Sequence, residues 1–399
     1  MPAGRRSRLP AFFFSDSSPA RHLSTGGALG WRKLRRVRKP GMNDENLMRR
    51  ALELAERGRY SVSPNPMVGA LVVRDGQVIG EGWHQRAGLP HAEIEALRSC
   101  AGDPRGATLY VTLEPCAHFG RTPPCSEALV SAGISRVVIA AADPSAHAAG
   151  SGPDRLRDAG VRVEIGLLAG EAGHQNEKFL FATRSSQPFV LLKAGITVDG
   201  KLATASRKSR WITGEEARHS SLELREEYDA ILVGAGTVAA DDPHLTRRLG
   251  TAPSERPWLR VVLDAGGVIP AEATVLTDGG TTLVFTDQPE RIPNHEGVTV
   301  ESAVLREGRV DLQQVLAALR DRGVQSLLVE GGSLVHTDFL VQRLWQKMIL
   351  FVAPMFLGGS RAPSIFSSDT VTELSEAIRF RFAGIEQVGA DLMIVAYPE

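Results

Sequence analysis

The fold and chemistry of the first half of the chain are decided by HAE at residues 91–93, PC at 115–116 and GRTPPC at 120–125. One histidine and two cysteines, His91, Cys116 and Cys125, supply three ligands of a tetrahedral zinc ion and leave the fourth position for water. Glu93 lies two residues after the first ligand. A carboxylate there can take a proton from that water and deliver it to a leaving nitrogen.

A His-x-Glu sequence followed by Pro-Cys and a second cysteine is typical of zinc-dependent nucleobase deaminases. In this chain eight residues separate Cys116 from Cys125, where the general signature has two. A disulfide is the alternative, but nothing in this chain of three cysteines indicates an oxidising compartment, so metal binding is favoured. Cys100 is interpreted as an ordinary core residue.

Length and charge bound the remaining possibilities. The 399 residues are enough for two domains. The net charge is zero, so the protein as a whole is not drawn to nucleic acid or to a membrane surface. No apolar run has the length of a membrane span. We therefore expect small-molecule substrates as partners, with neither nucleic acid nor membrane.

Residues 1–41 differ in composition from the rest, because the first forty residues hold ten basic residues and a single acid, Asp16. Arginine-rich, acid-poor segments are typical of organelle transit peptides. The alternative is a disordered extension or a mis-assigned start, with Met42 as the natural first residue. The location expected is the cytoplasm, or a plastid if the leader is a genuine transit peptide.

Residues 42–186 are predicted to form the zinc-dependent deaminase domain. A helix capped by Asn43 or Asp44 is expected over 45–57, and a hairpin over 68–81 closed by Asp75-Gly76. A helix from His91 to Cys100, a strand over 108–113, a helix from Cys125 to Ala132 and a strand over 136–141 follow. This alternation predicts an α/β sandwich with the zinc site at the ends of two helices, where a thiolate is favoured.

Asn65 is the candidate that reads the base. It lies between two prolines, which restrict its backbone, and its amide offers both a donor and an acceptor to a base edge. An ordinary turn asparagine is the alternative. His84 is not expected to be a ligand, since His91 already has that role.

Residues 187–399 are predicted to be a second α/β domain. Buried strands and helices restart at Phe189, and the expected strands are 189–193, 230–233, 259–264, 282–286, 326–329, 348–352 and 392–396, with helices over 215–227 and 312–322. Gly234-x-Gly236-x-x-Ala239 resembles a dinucleotide fingerprint, but Pro243 follows too soon for a long crossover helix. With Gly331-Gly332-Ser333 it makes two turns that can approach phosphate, which favours a nucleotide cofactor over ordinary tight turns.

Three side chains of this half have two interpretations each. Arg225 and Arg248 could clamp a substrate phosphate with two hydrogen bonds each, or could be solvated surface arginines. Trp211 could be a core residue or a platform for a cofactor, and its spacing, taken alone, favours the core.

These motifs, with Asp199-Gly200-Lys201, Ser209-x-Trp211-Ile212-Thr213 and Ala240-Asp241-Asp242-Pro243, closely resemble the bifunctional riboflavin-biosynthesis deaminase/reductase family over about residues 43–397. The GRTPPC sequence and the long cysteine spacing belong to that family. The resemblance implies a cytidine-deaminase-like three-layer α/β/α domain followed by a dihydrofolate-reductase-like α/β domain. It also implies a homo-oligomer, either a dimer or a tetramer.

The implied chemistry has two steps. The first domain would hydrolyse the 2-amino group from 2,5-diamino-6-(5-phosphoribosylamino)pyrimidin-4(3H)-one, with one zinc ion on His91, Cys116 and Cys125 and with Glu93 as the proton shuttle. The second would use NADPH to reduce the ribosyl group, giving 5-amino-6-(5-phosphoribitylamino)uracil.

The resemblance also implies residues for the second step. The expected NADPH contacts are Gly195, Trp211, Thr237, Asp241, Gly332, Ser333 and Leu334. The expected contacts with the reductase substrate are Lys193, Ser209, Arg225, Leu245, Arg248 and Glu330.

Three alternatives stay open. A nucleic-acid deaminase would share the zinc site, but it predicts a short chain, a Cys-x-x-Cys pair and a basic surface. An enzyme with one active half is the second alternative. A closed structural zinc module is the third; it would need a fourth protein ligand, for which His118 is the nearby candidate.

Overall fold

Two β-sheets organise the protein in this computed structural model, which describes residues 43–119, 123–145, 150–368 and 371–399. The leader over 1–41, Met42 and the GRT sequence at 120–122 lie outside the described residues. None of the helices in the described ranges is both long and apolar enough to cross a membrane.

The first sheet has five strands in the order β2-β1-β3-β4-β5. β1 is antiparallel to both β2 and β3, and β3, β4 and β5 run parallel. The strands are β1 (Gly69–Arg74), β2 (Gln77–Trp83), β3 (Thr108–Leu113), β4 (Arg136–Ala141) and β5 (Arg162–Ile165). The helices of this half are α1 (Asp44–Ala55), α2 (Ala92–Arg98), α3 (Cys125–Ser131), α4 (Ser151–Asp158), α5 (Ala169–Gln175) and α6 (Glu177–Arg184).

Both faces of this sheet are buried, because successive strand residues point to opposite sides. On one face Val72 and Leu109 pack with Ala96 of α2 and Leu129 of α3. On the other face, strand residues that include Leu71 and Tyr110 pack with α1 and α5. This is the predicted three-layer α/β/α arrangement.

The second sheet has nine strands in the order β10-β9-β8-β7-β13-β6-β14-β16-β15. All neighbours from β10 to β14 are parallel, and β16 and β15 continue the sheet antiparallel. Its strands are β6 (Phe189–Thr197), β7 (Ala230–Gly234), β8 (Leu259–Asp264), β9 (Thr282–Thr286), β10 (Val298–Ser302), β13 (Ser326–Val329), β14 (Lys347–Ala353), β15 (Phe380–Val388) and β16 (Asp391–Pro398). The short pair β11 (Leu305–Arg306) and β12 (Arg309–Val310) forms a separate ribbon.

Five helices accompany this sheet in the described residues: α7 (Glu215–Glu227), α8 (Ala235–Asp241), α9 (Thr274–Thr277), α10 (Leu312–Asp321) and α11 (Ser333–Val341). Leu316, Phe339 and Trp345 are buried against the central strands. Single 3-10 turns occupy Glu56–Gly58, Pro289–Arg291 and Leu374–Glu376.

Most predicted elements are confirmed, and the differences include the following three. The helix that follows His91 ends at Arg98, so Cys100 lies beyond it. β6 continues to Thr197, four residues past the predicted end. β10 and β15 were not predicted, because both are edge strands with many exposed side chains and no continuous apolar run.

Candidate active sites

The three predicted zinc ligands lie together at the ends of two helices and a strand. His91 directly precedes α2, Cys125 is the first residue of α3, and Cys116 follows β3. His91 Nδ1 lies 3.3 Å from Cys125 Sγ and 3.6 Å from Cys116 Sγ. The three ligand atoms are all within 4.8 Å of one another.

This geometry fits zinc. Ordinary zinc–nitrogen and zinc–sulfur bond lengths in a tetrahedral site put the two ligand atoms about 3.6 Å apart. The backbone N–H of Cys125 donates to Cys116 Sγ at 3.3 Å. Hydrogen bonds from Cys125 and the nearby His91 lower the pKa of Cys116 to about 4, which favours the thiolate that binds metal. Among the described residues, His118 is not a member of this group.

Glu93 is the second residue of α2, and its side chain is almost completely buried. Burial raises the pKa of its carboxyl group above the ordinary value, although the charge of His91 opposes this. A carboxyl group with a raised pKa accepts and returns a proton more readily near neutral pH than an exposed glutamate does. Its position beside the ligands is the one that the sequence predicted.

Asn65 is held in place by His84, a contact that the sequence did not predict. Asn65 Nδ2 lies 3.0 Å from His84 Nε2, and His84 Nδ1 lies 3.0 Å from the carbonyl oxygen of Pro90. A carbonyl can only accept, so Nδ1 carries the proton and Nε2 accepts from the Asn65 amide. Burial lowers the pKa of His84, which agrees with a neutral ring. Within the described part of the chain, the Asn65 side-chain oxygen is left free to accept a hydrogen bond.

The His84 ring also packs edge-on against the His91 ring, with centroids 5.6 Å apart. Asn65 therefore contacts His84, which in turn contacts the predicted zinc ligand His91. His84 is not in the ligand group of the described residues, as predicted. Sequence alone could not show that His84 orients Asn65, because this depends on a contact between the residue that follows β2 and a loop that precedes β1.

In the second half, the two glycine-rich turns that the sequence singled out lie against each other. A β-carbon added at Gly331 would lie 2.7 Å from the Val233 backbone, and one at Gly332 would lie 3.2 Å from Thr237 Oγ1. Gly332 also has φ of 76°, which favours glycine. The turns follow β7 and β13, which are neighbours in the sheet, so both open at one edge where a cofactor can bind.

Three charged side chains predicted to hold substrate meet at the same edge. Arg225 of α7 donates from Nε and Nη2 to the two carboxylate oxygens of Glu330, at 2.9 and 2.8 Å. Lys193 Nζ of β6 lies 3.8 Å from Glu330. Burial would raise the pKa of Glu330, but Arg225 and Lys193 lower it to about 2. Burial lowers the pKa of Lys193, with Glu330 opposing.

The region around Trp211 is exposed, so the core interpretation from spacing is wrong. The Trp211 side chain is 68% exposed, and the guanidinium of Arg218 lies 4.5 Å from its ring centre. Ser209 Oγ donates to Asp241 at 3.2 Å, which joins two predicted contact residues. The Gly195 backbone lies beside Thr213, and Leu334 is exposed at the start of α11.

Leu245 and Arg248 differ in the atoms that they can present to a substrate. The Leu245 side chain is buried and its carbonyl accepts from Trp258 Nε1 at 2.8 Å, so any substrate contact would use other atoms. Arg248 is exposed, and among the described residues its guanidinium is bonded only through Nε to Thr246 Oγ1, at 3.5 Å. Its remaining donors are available to an anion.

Comparison with known proteins assigns both halves. The cytidine and deoxycytidylate deaminase zinc-binding region matches residues 42–141, and the RibD C-terminal domain matches residues 188–394. The riboflavin biosynthesis protein RibD of Bacillus amyloliquefaciens is 40% identical over 360 residues, covering 89% of this chain and 96% of that protein. The Escherichia coli protein of the same name is 40% identical over 366 residues, covering 88% and 99%.

The chain belongs to the RibD family. The solved structure of Acinetobacter baumannii RibD is similar with a TM-score of 0.79 and 38% identity, covering 89% of this chain and 99% of that one. The structure of a diaminohydroxyphosphoribosylaminopyrimidine deaminase/5-amino-6-(5-phosphoribosylamino)uracil reductase from Thermotoga maritima has a TM-score of 0.79 and 36% identity and covers 89% and 98%.

Membership confirms the class of enzyme predicted from the motifs. The protein is a bifunctional enzyme of riboflavin biosynthesis, with a zinc-dependent deaminase half and an NADPH-dependent reductase half. The deaminase-like and reductase folds are confirmed as well.

Proposed function

We propose that this chain deaminates 2,5-diamino-6-(5-phosphoribosylamino)pyrimidin-4(3H)-one and then reduces the ribosyl group of the product to give 5-amino-6-(5-phosphoribitylamino)uracil. The observation that carries the first step is the buried carboxyl group of Glu93 beside the His91–Cys116–Cys125 group. The two compounds in the name of the Thermotoga maritima enzyme support both substrates.

In the deaminase half, His91, Cys116 and Cys125 would hold zinc, which lowers the pKa of a water molecule that it binds. Glu93 would accept a proton from the attacking water as the water oxygen bonds to C2, and would deliver it to the amino group that leaves C2 as ammonia. The free side-chain oxygen of Asn65 accepts a hydrogen bond from a donor on the pyrimidine edge. His84 fixes the Asn65 amide in the orientation that presents this oxygen.

In the reductase half, NADPH would supply the hydride that is added to C1′ of the ribosyl group, while the bond from C1′ to the ring oxygen opens and that oxygen takes a proton. We assign the cofactor to the edge formed by Gly195, Thr237, Asp241 and the Gly332-Ser333-Leu334 turn, with Trp211 covering it. The two touching glycine-rich turns support this assignment, because their backbones can approach phosphate closely.

We assign the reductase substrate to the neighbouring charged group. Lys193 lies beside the sugar, and Glu330 holds the cations of Lys193 and Arg225 in position. Arg248 has free donors for the substrate phosphate, and Arg225, Ser209 and Leu245 line the same site. The pairing of Arg225 with Glu330 makes Arg248 the stronger phosphate ligand of the two arginines.

We further propose domain limits of 42–186 for the deaminase and 187–399 for the reductase, a cytoplasmic location, and a homo-oligomer. The ranges matched by the two families support the limits. Exposed apolar residues on the edge strand β15, Phe382 and Ile385, support association between copies.

A coupled assay on the full chain tests the function. The diaminopyrimidinone ribosyl phosphate is supplied with and without NADPH, and ammonia release and NADPH oxidation are followed together. We expect ammonia in both cases and NADPH oxidation only after deamination. Ammonia release without NADPH oxidation would show that only the deaminase half is active. Zinc-loaded protein that releases no ammonia would refute the proposed deaminase substrate.

A further inference from the structure

The segment Tyr60–Met67, which carries Asn65, is anchored at its far end within the deaminase half. The buried side chain of Asn176 accepts from the Met67 N–H and donates to the Met67 carbonyl, both at 2.8 Å. The Asn65 N–H donates to the Val62 carbonyl at 2.8 Å, which closes a turn that ends at the asparagine.

The near end of the segment is held by the other half of the protein. Ser63 Oγ donates to Asp229 Oδ1 at 2.6 Å, across a separation of 166 residues. Arg256 Nη1 donates to the Tyr60 carbonyl at 3.1 Å. Asp229 directly precedes β7 and Arg256 lies shortly before β8, so both lie beside the nine-stranded sheet of the reductase half.

Asp229 is itself fixed by that sheet. Its Oδ2 accepts from the Gln325 N–H at 3.1 Å and from the N–H and hydroxyl of Ser326 at 3.0 and 2.9 Å. Its Oδ1 accepts from Arg256 Nη2 at 2.8 Å as well as from Ser63. The side chains of Asp229 and Arg256 are 15% and 5% exposed, so the hydroxyl of Ser63 meets a rigid, largely desolvated carboxylate.

We propose that Asp229, through Ser63, is a positioning residue for the deaminase reaction, supplied by the reductase half. The inference rests on the proposed role of Asn65. The carboxylate sets the path of Tyr60–Met67, and that path sets where the Asn65 oxygen meets the pyrimidine edge. Ser63, Asn65, Asp229 and Ser326 line one cleft between the two halves, which places the anchor and the base-reading residue side by side.

The test removes only the donor. Ser63→Ala leaves Asp229 bonded to Arg256 and Ser326, and Ser63→Thr keeps the hydroxyl. Loss of a hydrogen bond to a carboxylate predicts a rise of about tenfold in the KM for deamination. The kcat for deamination, the KM for reduction and the zinc content should change by less than about twofold, and Ser63→Thr should restore the KM.

Tyr397→Phe is the matched control. The Tyr397 hydroxyl donates to Glu177 Oε2 at 2.7 Å, which is also a hydroxyl–carboxylate contact between the two halves, but it lies on β16 and α6. This variant should keep the wild-type KM for deamination. A wild-type KM in Ser63→Ala, or an equal rise in Tyr397→Phe, would overturn the proposal.

Hydrogen–deuterium exchange tests, independently of any activity assay, whether the Ser63–Asp229 contact orders Tyr60–Met67. Amides of the peptide spanning 60–67 should exchange several-fold faster in Ser63→Ala than in the wild type, and at the wild-type rate in Tyr397→Phe. Unchanged exchange would overturn the positioning role. Wild-type protein that releases no ammonia would refute the proposed function, and the exchange result would still decide whether the Ser63–Asp229 contact orders the segment.

Discussion

Arg225 and Glu330 form a two-point ion pair, with Nε on Oε1 at 2.9 Å and Nη2 on Oε2 at 2.8 Å. Both side chains are largely buried, with 13% and 10% of their surface exposed. A buried pair of this geometry is costly to break from one side, because the remaining charge has no solvent around it. The pair therefore fixes the charged edge of the proposed reductase site before any ligand arrives.

Glu330→Gln should lower the free energy of unfolding at pH 7 by about 3 kcal/mol. The folded pKa of Glu330 is about 2 against an ordinary value of 4.5, so its stabilisation is complete above pH 4.5 and is lost as the pH falls toward 2. Urea unfolding should show a smaller difference in the free energy of unfolding between wild type and variant at pH 3 than at pH 7. Glu290→Gln, at an exposed site, should have the free energy of unfolding of the wild type at both pH values.

Glu93→Gln should reduce the kcat for deamination by about 100-fold or more, while the protein keeps its zinc. The amide fills the same buried space but cannot carry the proton. Glu95→Gln on the same helix is the control, since Glu95 pairs with Arg98 at the surface. Ammonia release and zinc content are measured together; retained turnover in Glu93→Gln would remove this residue from the mechanism.

Cys125→Ala should lose stoichiometric zinc, because two ligands hold the ion far less tightly than three. Cys100→Ala should keep it, since the Cys100 thiol donates to the Ala96 carbonyl and lies outside the ligand group of the described residues. Metal analysis after dialysis distinguishes the two variants. Full zinc occupancy in Cys125→Ala would show that the ligand set is wrong.

Arg248→Ala should raise the KM of the reductase step about tenfold and leave deamination unchanged. Its exposed guanidinium has donors to spare, so its removal costs little stability. Arg379→Ala, which removes another arginine of the same half, should alter neither step. Steady-state kinetics of NADPH oxidation decide between a phosphate ligand and a solvated side chain.

Trp211→Ala should weaken NADPH binding by about tenfold without lowering the unfolding temperature, because the indole buries little of its surface in the protein alone. Phe382→Ala removes a ring that is 61% exposed on β15 and should leave NADPH binding unchanged. Titration of protein fluorescence with NADPH gives both dissociation constants. Equal affinities in wild type and Trp211→Ala would exclude the ring from the cofactor site.

The sequence predicted the zinc group well, since the ligand types and the carboxylate two residues beyond His91 are local features. It also predicted the strands with continuous apolar runs, such as Ser326–Val329. Edge strands such as β15 escaped prediction, because exposed polar positions interrupt their pattern. Contacts between residues distant in sequence were not predicted either. The contacts of Asn65 with His84 and of Ser63 with Asp229 do not appear in the local spacing of residues.

The position of β13 sets an order of assembly during synthesis. β13 inserts between β7 and β6, although it is made almost a hundred residues after β7. The five-stranded sheet needs only residues 69–165 and can close while the remainder is still being translated, since domains generally fold from the N-terminal side. Asp229 obtains its partners at Gln325 and Ser326 only when β13 arrives. The segment Tyr60–Met67, proposed to read the base, is therefore synthesised before the residues that support it. A nascent chain paused before residue 325 should hold zinc yet bind the pyrimidine poorly.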